Sequence, residues 1–435
     1  MNKFYIIGLL LSCLCMAQCA TNPVTGEAEL AFISEEQEIS MGKQYYGPTI
    51  QSFDGIYPDQ GAQKYINDVG QKLAHLGHRP NLNYEFKIVN TSQVNAFALP
   101  GGKICITRGL LTQMNHESQL AAVLGHEIGH VTARHAVRAM SRQMIWGGLF
   151  NLGAIALETK NVENRQAMLA LGSVGLQAGL AKYGRDQEIQ SDELGMSYMT
   201  RAHYDPKGAL ETFELLQKLQ TREASFIDAM FASHPPSQER VANAKALIST
   251  EYALVAKRPD NIQTTKQFKK LSEKLKREEP FYKEHDEGIK VANEGRWNDA
   301  ITHFQKALKG KPNEALFHAD IGYVYMMRKE FETSKTHLRK AIQAYPDFFK
   351  PSFFLGYLKY QTKDYAGAKT DLLKADQIIP GVPQLRLILG ESYEQSGDVH
   401  TAVEYYKYVY QADPEGEVGR VAARHLLRLG VLRKK

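Results

Sequence analysis

The sequence predicts an α+β region, mainly helical with one small sheet, followed by an all-α solenoid. Three observations carry that reading. The stretches "YEFKIV" (84–89), "VNAFAL" (94–99) and "KICIT" (103–107) are short and β-rich or alternating. Helical apolar spacing dominates the chain after these strands, through "DQEIQSDELGMSYMTRA" at 186–202. From position 288 onward, small, large and proline positions recur every 34 residues. The 435 residues suffice for two or three domains with their own cores. The expected divisions are a leader at 1–19, a first domain at 20–255, a linker helix at 256–280, four repeats at 281–415 and a capping helix at 416–435.

The first residues look like an export signal: Lys3 supplies charge, "FYIIGLLL" an apolar core, and small residues and cysteines follow. The apolar run is too short to span a membrane. Of the four cysteines, Cys13, Cys15 and Cys19 lie here and only Cys105 lies in the body, so the mature chain has no internal disulfide. A cysteine after such a signal can carry lipid. Cys19 is the preferred attachment point over Cys13, with plain secretion as the alternative. The net charge of +5 is mild and argues against a nucleic-acid partner. The most basic stretch, "KQFKKLSEKLKREE" (266–279), carries acids too and reads as a solvated helix.

Next come a helix over 60–76 and the three strands, with "PGG" (100–102) as the turn of a hairpin. Then "AAVLGHEIGHVTARH" (121–135) puts two histidines, a glutamate and two glycines into an apolar helix. His126 and His130 are four apart, one turn above each other on one face, where two imidazoles can bind one ion. Glu127 between them is placed to take a proton from a metal-bound water. This is the HExxH arrangement, and one Zn2+ per chain is the expected ion. Gly125 and Gly129, with Ala121, Ala122 and Ala133, form a strip of small residues that lets another element approach the backbone.

A catalytic zinc site commonly has three protein ligands. The metzincin pattern would need glycine at 133 and histidine at 136, where this chain has Ala133 and Ala136, and His135 is one residue off register. A downstream glutamate is the other solution, from Glu158, Glu163, Glu188 and Glu193. Glu188 is preferred, because it sits on an expected helix with Asp192 one turn later. Asp192 would hold a ligand histidine by its other ring nitrogen, or be a surface carboxylate. The apolar stretches at 144–157 and 167–181 read as buried helices or a hairpin over the site, with a membrane-dipping hairpin as the alternative.

In the C-terminal part Gly288, Gly322, Gly356 and Gly390 keep the period, as do Ala300, Ser334, Ala368 and Ala402, then Phe304, Leu338, Leu372 and Tyr406, then Pro312, Pro346, Pro380 and Pro414. This order resembles the tetratricopeptide repeat, whose helix pairs stack into a solenoid with a concave face for a protein partner.

With "NPVTGE" (22–27), "NAFALPGG" (95–102), "RDQEIQSDELG" (185–195), "YDP" (204–206) and "SHPPSQER" (233–240) beside the helix motif, the chain resembles the HtpX/BepA-like zinc metallopeptidases, relatives of the prenyl-protein endopeptidase. The resemblance implies a zincin-type domain with His126, His130 and Glu188 as ligands and Glu127 as base. It implies that Asn95, Ala96, Phe97 and Ala98 form an edge strand along which an extended peptide substrate adds as a further strand. It places His234 near the metal, either as oxyanion stabiliser or in zinc's fourth position, and gives Arg240 an oxyanion or salt-bridge role. The implied function is an exported zinc endopeptidase acting on envelope proteins, in quality control or outer-membrane protein assembly. The alternative is a chaperone or scaffold with a mostly latent site. The expected location is the periplasm, with a lipid tether to the outer membrane as an option.

Overall fold

In a computed structural model the chain divides into two compact units, Met1–Lys276 and Arg277–Lys435. The structure describes residues 19–30, 32–142, 183–220, 234–235 and 237–433; residues 1–18 of the expected leader and the apolar stretches at 144–157 and 167–181 lie outside these. Among the described residues, no helix is long and apolar enough to cross a membrane.

The first unit opens with a ribbon, β1 (Cys19–Thr21) antiparallel to β2 (Ala28–Leu30). The "NPVTGE" segment turns between them because the Asn22 side-chain oxygen accepts from the amides of Val24 and Thr25. Helices α1 (Glu35–Ser52) and α2 (Gln60–Ala74) follow. The small sheet has β3 (Glu85–Val89), β4 (Ala96–Leu99) and β5 (Lys103–Thr107) in the order β3-β5-β4. β3 runs parallel to β5, and β4 pairs antiparallel with it through the "PGG" turn, as the sequence predicts. Gly101 has φ +71°, and a Cβ there would meet Ile39 Cα at 2.8 Å, so the turn needs glycine.

After the short α3 (Arg108–Gln113) comes α4 (Glu117–Thr132), in which every residue is buried. That explains its run of apolar and small residues from Leu120 to Gly125. Residues 135–142 are again helical, and α5 (Arg185–Arg201), α6 (Lys207–Gln220) and α7 (Gln238–Ser249) follow among the described residues of this unit.

α8 (Lys266–Asn293) differs from the linker helix expected at 256–280: it begins at Lys266 and continues through Pro280 to Asn293. Proline removes one backbone donor but leaves the helix path intact here. In the second unit the tail of α8 pairs with α9 (Trp297–Gly310). Then come α10 (Ala315–Met327) with α11 (Phe331–Ala344), α12 (Phe349–Gln361) with α13 (Tyr365–Ile378), and α14 (Pro383–Gln395) with α15 (Val399–Ala412). The period has a direct packing cause. A Cβ at Gly288, Gly322, Gly356 or Gly390 would lie 2.5, 2.8, 2.6 or 2.7 Å from Phe304, Leu338, Leu372 or Tyr406 of the paired helix. Each repeat proline stands just past the end of its second helix, where a missing amide costs nothing. α16 (Glu417–Arg428) covers the last pair, burying Ala422 and Leu426 with Tyr406 and Val409.

Candidate metal centre

The small-residue strip on α4 does what its sequence suggests. A Cβ on Gly125 would lie 2.9 Å from Gly195 O, and one on Gly129 would lie 3.0 Å from Ser191 Cα. α5 therefore packs backbone against backbone on α4. That approach carries Glu188 and Asp192, one turn apart on α5, to His126 and His130. His234 arrives from the loop before α7. Donor atoms of His126, His130, Glu188 and His234 all lie within 4.8 Å of one another, and all four residues are buried.

His126 Nε2 is 3.0 Å from His130 Nε2 and 3.3 Å from His234 Nδ1. Glu188 Oε1 is 3.4 Å from His130 Nε2 and 3.0 Å from His234 Nδ1, and Glu188 Oε2 is 3.6 Å from His126 Nε2. A tetrahedral zinc with bonds of about 2.1 Å sets its donors about 3.4 Å apart. The donor set thus fits such an ion in chemistry and in spacing. Glu127 lies beside this cluster, its Oε1 3.7 Å from His234 Nε2, and its buried Oε2 has no hydrogen-bond partner. A buried carboxylate oxygen in that state calls for a cation or a bound water.

The surrounding groups orient the donors. Asp192 Oδ1 is 2.8 Å from His126 Nδ1, and Arg240 clamps Asp192 with two bonds of 2.7 Å while its third nitrogen reaches Glu188 Oε2 at 3.0 Å. Burial pushes the Glu127 carboxyl up and the His130 imidazole well down. Burial alone would raise Glu188 too, but His234 and the other histidines hold its carboxyl well below the usual range. For His234 burial works downward, and Glu188 and Glu127 together overcome it.

The structure brings together Glu127, Asp192, His126, His130, Glu188, His234 and Arg240. Arg240 is engaged as a salt-bridge partner of Asp192. Of the other candidate glutamates, Glu193 is exposed, and Glu158 and Glu163 lie outside the described residues. β4 is an edge strand, yet Asn95, Ala96, Phe97 and Ala98 are all buried. A small crevice of about 10 Å³ beside it is lined by Ala98, Leu99, His130, Ala136, Val137 and Tyr183. Cys19 begins β1 by its backbone.

Sequence reasoning missed three neighbours. Tyr183 stacks on His130 with ring centroids 3.9 Å apart. His135 touches His130 at 2.8 Å. Glu38, buried, pairs with Arg79 and Arg134 and accepts from Gly101 N, tying the end of α4 to the hairpin turn. Arg134 lies four residues after His130, but nothing local signals that its partner is Glu38.

Two imidazoles one turn apart, a glutamate beside them and a carboxylate from a second helix define the glutamate-type HExxH class of metallopeptidase. Comparison with known families agrees: the model described as "Peptidase family M48" matches residues 60–248, and that of the tetratricopeptide repeat matches 286–347 and 355–417. The "Metalloprotease YcaL" of Escherichia coli (strain K12) is 30% identical over 192 residues, covering 43% of this chain and 72% of that protein. The chain belongs to peptidase family M48 and carries a tetratricopeptide array. It is also 34% identical over 230 residues to the "Beta-barrel assembly-enhancing protease" of Yersinia pestis, covering 51% of this chain. The match spans about half the length of that relative, 46%. A solved structure of MamA covers 35% of this chain and 88% of its own at 23% identity, with a TM-score of 0.31.

Proposed function

We propose that this protein is a zinc-dependent endopeptidase of the cell envelope whose repeat array recruits a protein partner. The four-donor cluster on α4, α5 and the His234 loop is the observation that carries this reading. His126, His130 and Glu188 would hold the zinc in it. When bound, zinc lowers the pKa of a water and polarises the scissile carbonyl. Glu127 takes the proton from the attacking water and hands it to the leaving amine, and its buried position keeps bulk water from competing. Asp192 and Arg240 keep His126 oriented. The peptide backbone pairs with the free edge of β4 once that edge is uncovered.

Export by the leader, a periplasmic location and a lipid on Cys19 belong to the same proposal, supported by the signal pattern. Assembly of β-barrel proteins as the setting is supported by the name of the Yersinia pestis relative. Such barrels stand in outer membranes.

A second reading is a chaperone or scaffold with a mostly latent site. It is favoured by His234, which converges as a fourth donor, and by the burial of Asn95, Ala96, Phe97 and Ala98. Both readings meet one experiment. Full-length protein is expected to hold close to one zinc per chain, and E188A to lose most of it. E127Q keeps the metal and lowers hydrolysis of an unfolded protein such as casein by about 10²–10⁴-fold. A metal-free parent, or undiminished hydrolysis by E127Q, would overturn the enzymatic reading. A cellular phenotype rescued fully by E127Q would select the second.

A further inference from the structure

The two histidines of the motif are held from behind by different chemistry. His126 has a carboxylate, Asp192. His130 has another histidine. Its Nδ1 lies 2.8 Å from Nδ1 of His135, whose Nε2 lies 3.0 Å from Oε1 of Gln190 on α5. His135 is completely buried.

These contacts allow one proton arrangement when His130 is a metal ligand. Its Nε2 faces the cluster and must offer a lone pair, so its proton is on Nδ1. That N–H donates to His135 Nδ1, which must therefore be bare. His135 then carries its proton on Nε2 and donates it to Gln190 Oε1. The Ser191 hydroxyl, 3.4 Å from His135 Nδ1, adds a weaker contact to the same acceptor. An imidazolium at 135 would set N–H against N–H. A carboxylate there would be one more buried acid beside Glu127, Glu188 and Asp192, with Arg240 already committed to the last two.

Helical register does not bring His135 to this place. α4 ends at Thr132, and Arg134 adopts φ +53°. This left-handed step turns the chain so that His135 falls behind His130. Arg134 is held in that conformation by Glu38 at 2.9 Å and by Ile33 O at 3.0 Å.

We infer that His135 is a positioning residue that fixes His130 as an Nε2 donor, and that Gln190 sets this relay by accepting from His135. The inference stands on the reading of His130 as a metal ligand. It gives His130 orientation without added charge, whereas Asp192 gives His126 both.

The test is zinc affinity of the full-length protein, measured by competition with a chromogenic chelator, with the absorption spectrum of the cobalt(II)-loaded form as a second readout. H135L removes the acceptor and is expected to weaken zinc binding about 10- to 100-fold. H135N, whose amide oxygen falls where Nδ1 now sits, recovers most of that loss. Q190L frees both tautomers of His135, weakens binding less than H135L and shifts the cobalt bands. An affinity for H135L equal to the parent's overturns the inference. So does an H135N as weak as H135L, because the loss would then be one of packing. If H135L does not fold, H135N and Q190L decide: parent-like cobalt spectra in Q190L refute the relay. A parent that binds no zinc sinks the metal reading itself, and this inference with it.

Discussion

Of the glycines between α4 and α5, Gly195 is where the candidate metal centre is most exposed to a single added carbon. A Cβ there would lie 2.7 Å from the backbone nitrogen of His126 and 2.9 Å from the carbonyl carbon of Gly125. Both are backbone atoms, so relief comes only by moving α5 away from α4. Reaching an ordinary contact of 3.4 Å from 2.7 Å takes a retreat of about 0.7 Å. Glu188 and Asp192 ride on α5. The Asp192–His126 hydrogen bond would stretch from 2.8 Å to about 3.5 Å, outside hydrogen-bonding range. Metal–ligand distances tolerate only about 0.2 Å. Overpacking costs about 1–3 kcal/mol, and alanine returns about 1 kcal/mol of helix propensity. G195A is therefore expected to fold, to lose at most about 2 kcal/mol in the metal-free state, and to bind zinc about 10- to 100-fold more weakly. Chelator competition reads the affinity, and thermal melting of the metal-free chain reads the stability. Parent-like zinc affinity at parent-like stability would show that the close approach of α5 does not set the donor geometry.

Two further outcomes are expected. H234A should keep its zinc and raise basal cleavage of an unfolded protein, if His234 holds the site closed as a fourth donor; reduced cleavage would assign it to the reaction instead. In the second unit, burial would lower the His285 pKa, but Asp286 and Asp320, 3.5 and 2.9 Å away, hold it up at about 9. A raised histidine stabilises fully below its unfolded value of about 6.5, and that contribution is lost as pH rises through 9. The loss amounts to about 3 kcal/mol at most. Melting of the repeat unit within the full chain should thus fall between pH 7 and 9.5 in the parent and less in H285Q, and equal slopes would refute the assignment.

The residues of the candidate site differ in how far the sequence betrays them. His126, Glu127 and His130 are legible because their geometry follows from helix periodicity alone. Glu188 and Asp192 are legible in part: their spacing reveals a shared face, but choosing them over Glu193 depends on which face α5 turns inward. The structure answers through Gly125 and Gly195, whose missing side chains let the helices touch. Arg240 is legible as a cation near the site, and its clamp on Asp192 is visible only once α7 is packed. His135 looks one residue out of register on an ideal helix, and that is the only signal it gives. The left-handed Arg134 cancels the helical count, and nothing local announces it, because its cause is Glu38 on a distant helix.

For the fold the division is similar. The repeat helix pairs follow from the 34-residue period, since each glycine meets the large residue of its own repeat and the contact is local, whereas the start of the first repeat does not, because Lys266–Asn293 is one continuous helix. The sheet order β3-β5-β4 and the burial of the β4 edge depend on what packs across it. By itself, then, the sequence determined what is written in short-range spacing: the helix that carries the histidines, the solenoid and the chemistry both imply. Only the tertiary structure decided which distant groups face those histidines, because a carboxylate, an imidazole and a guanidinium become partners through the packing of separate helices, and the chain between them carries no periodicity to record it.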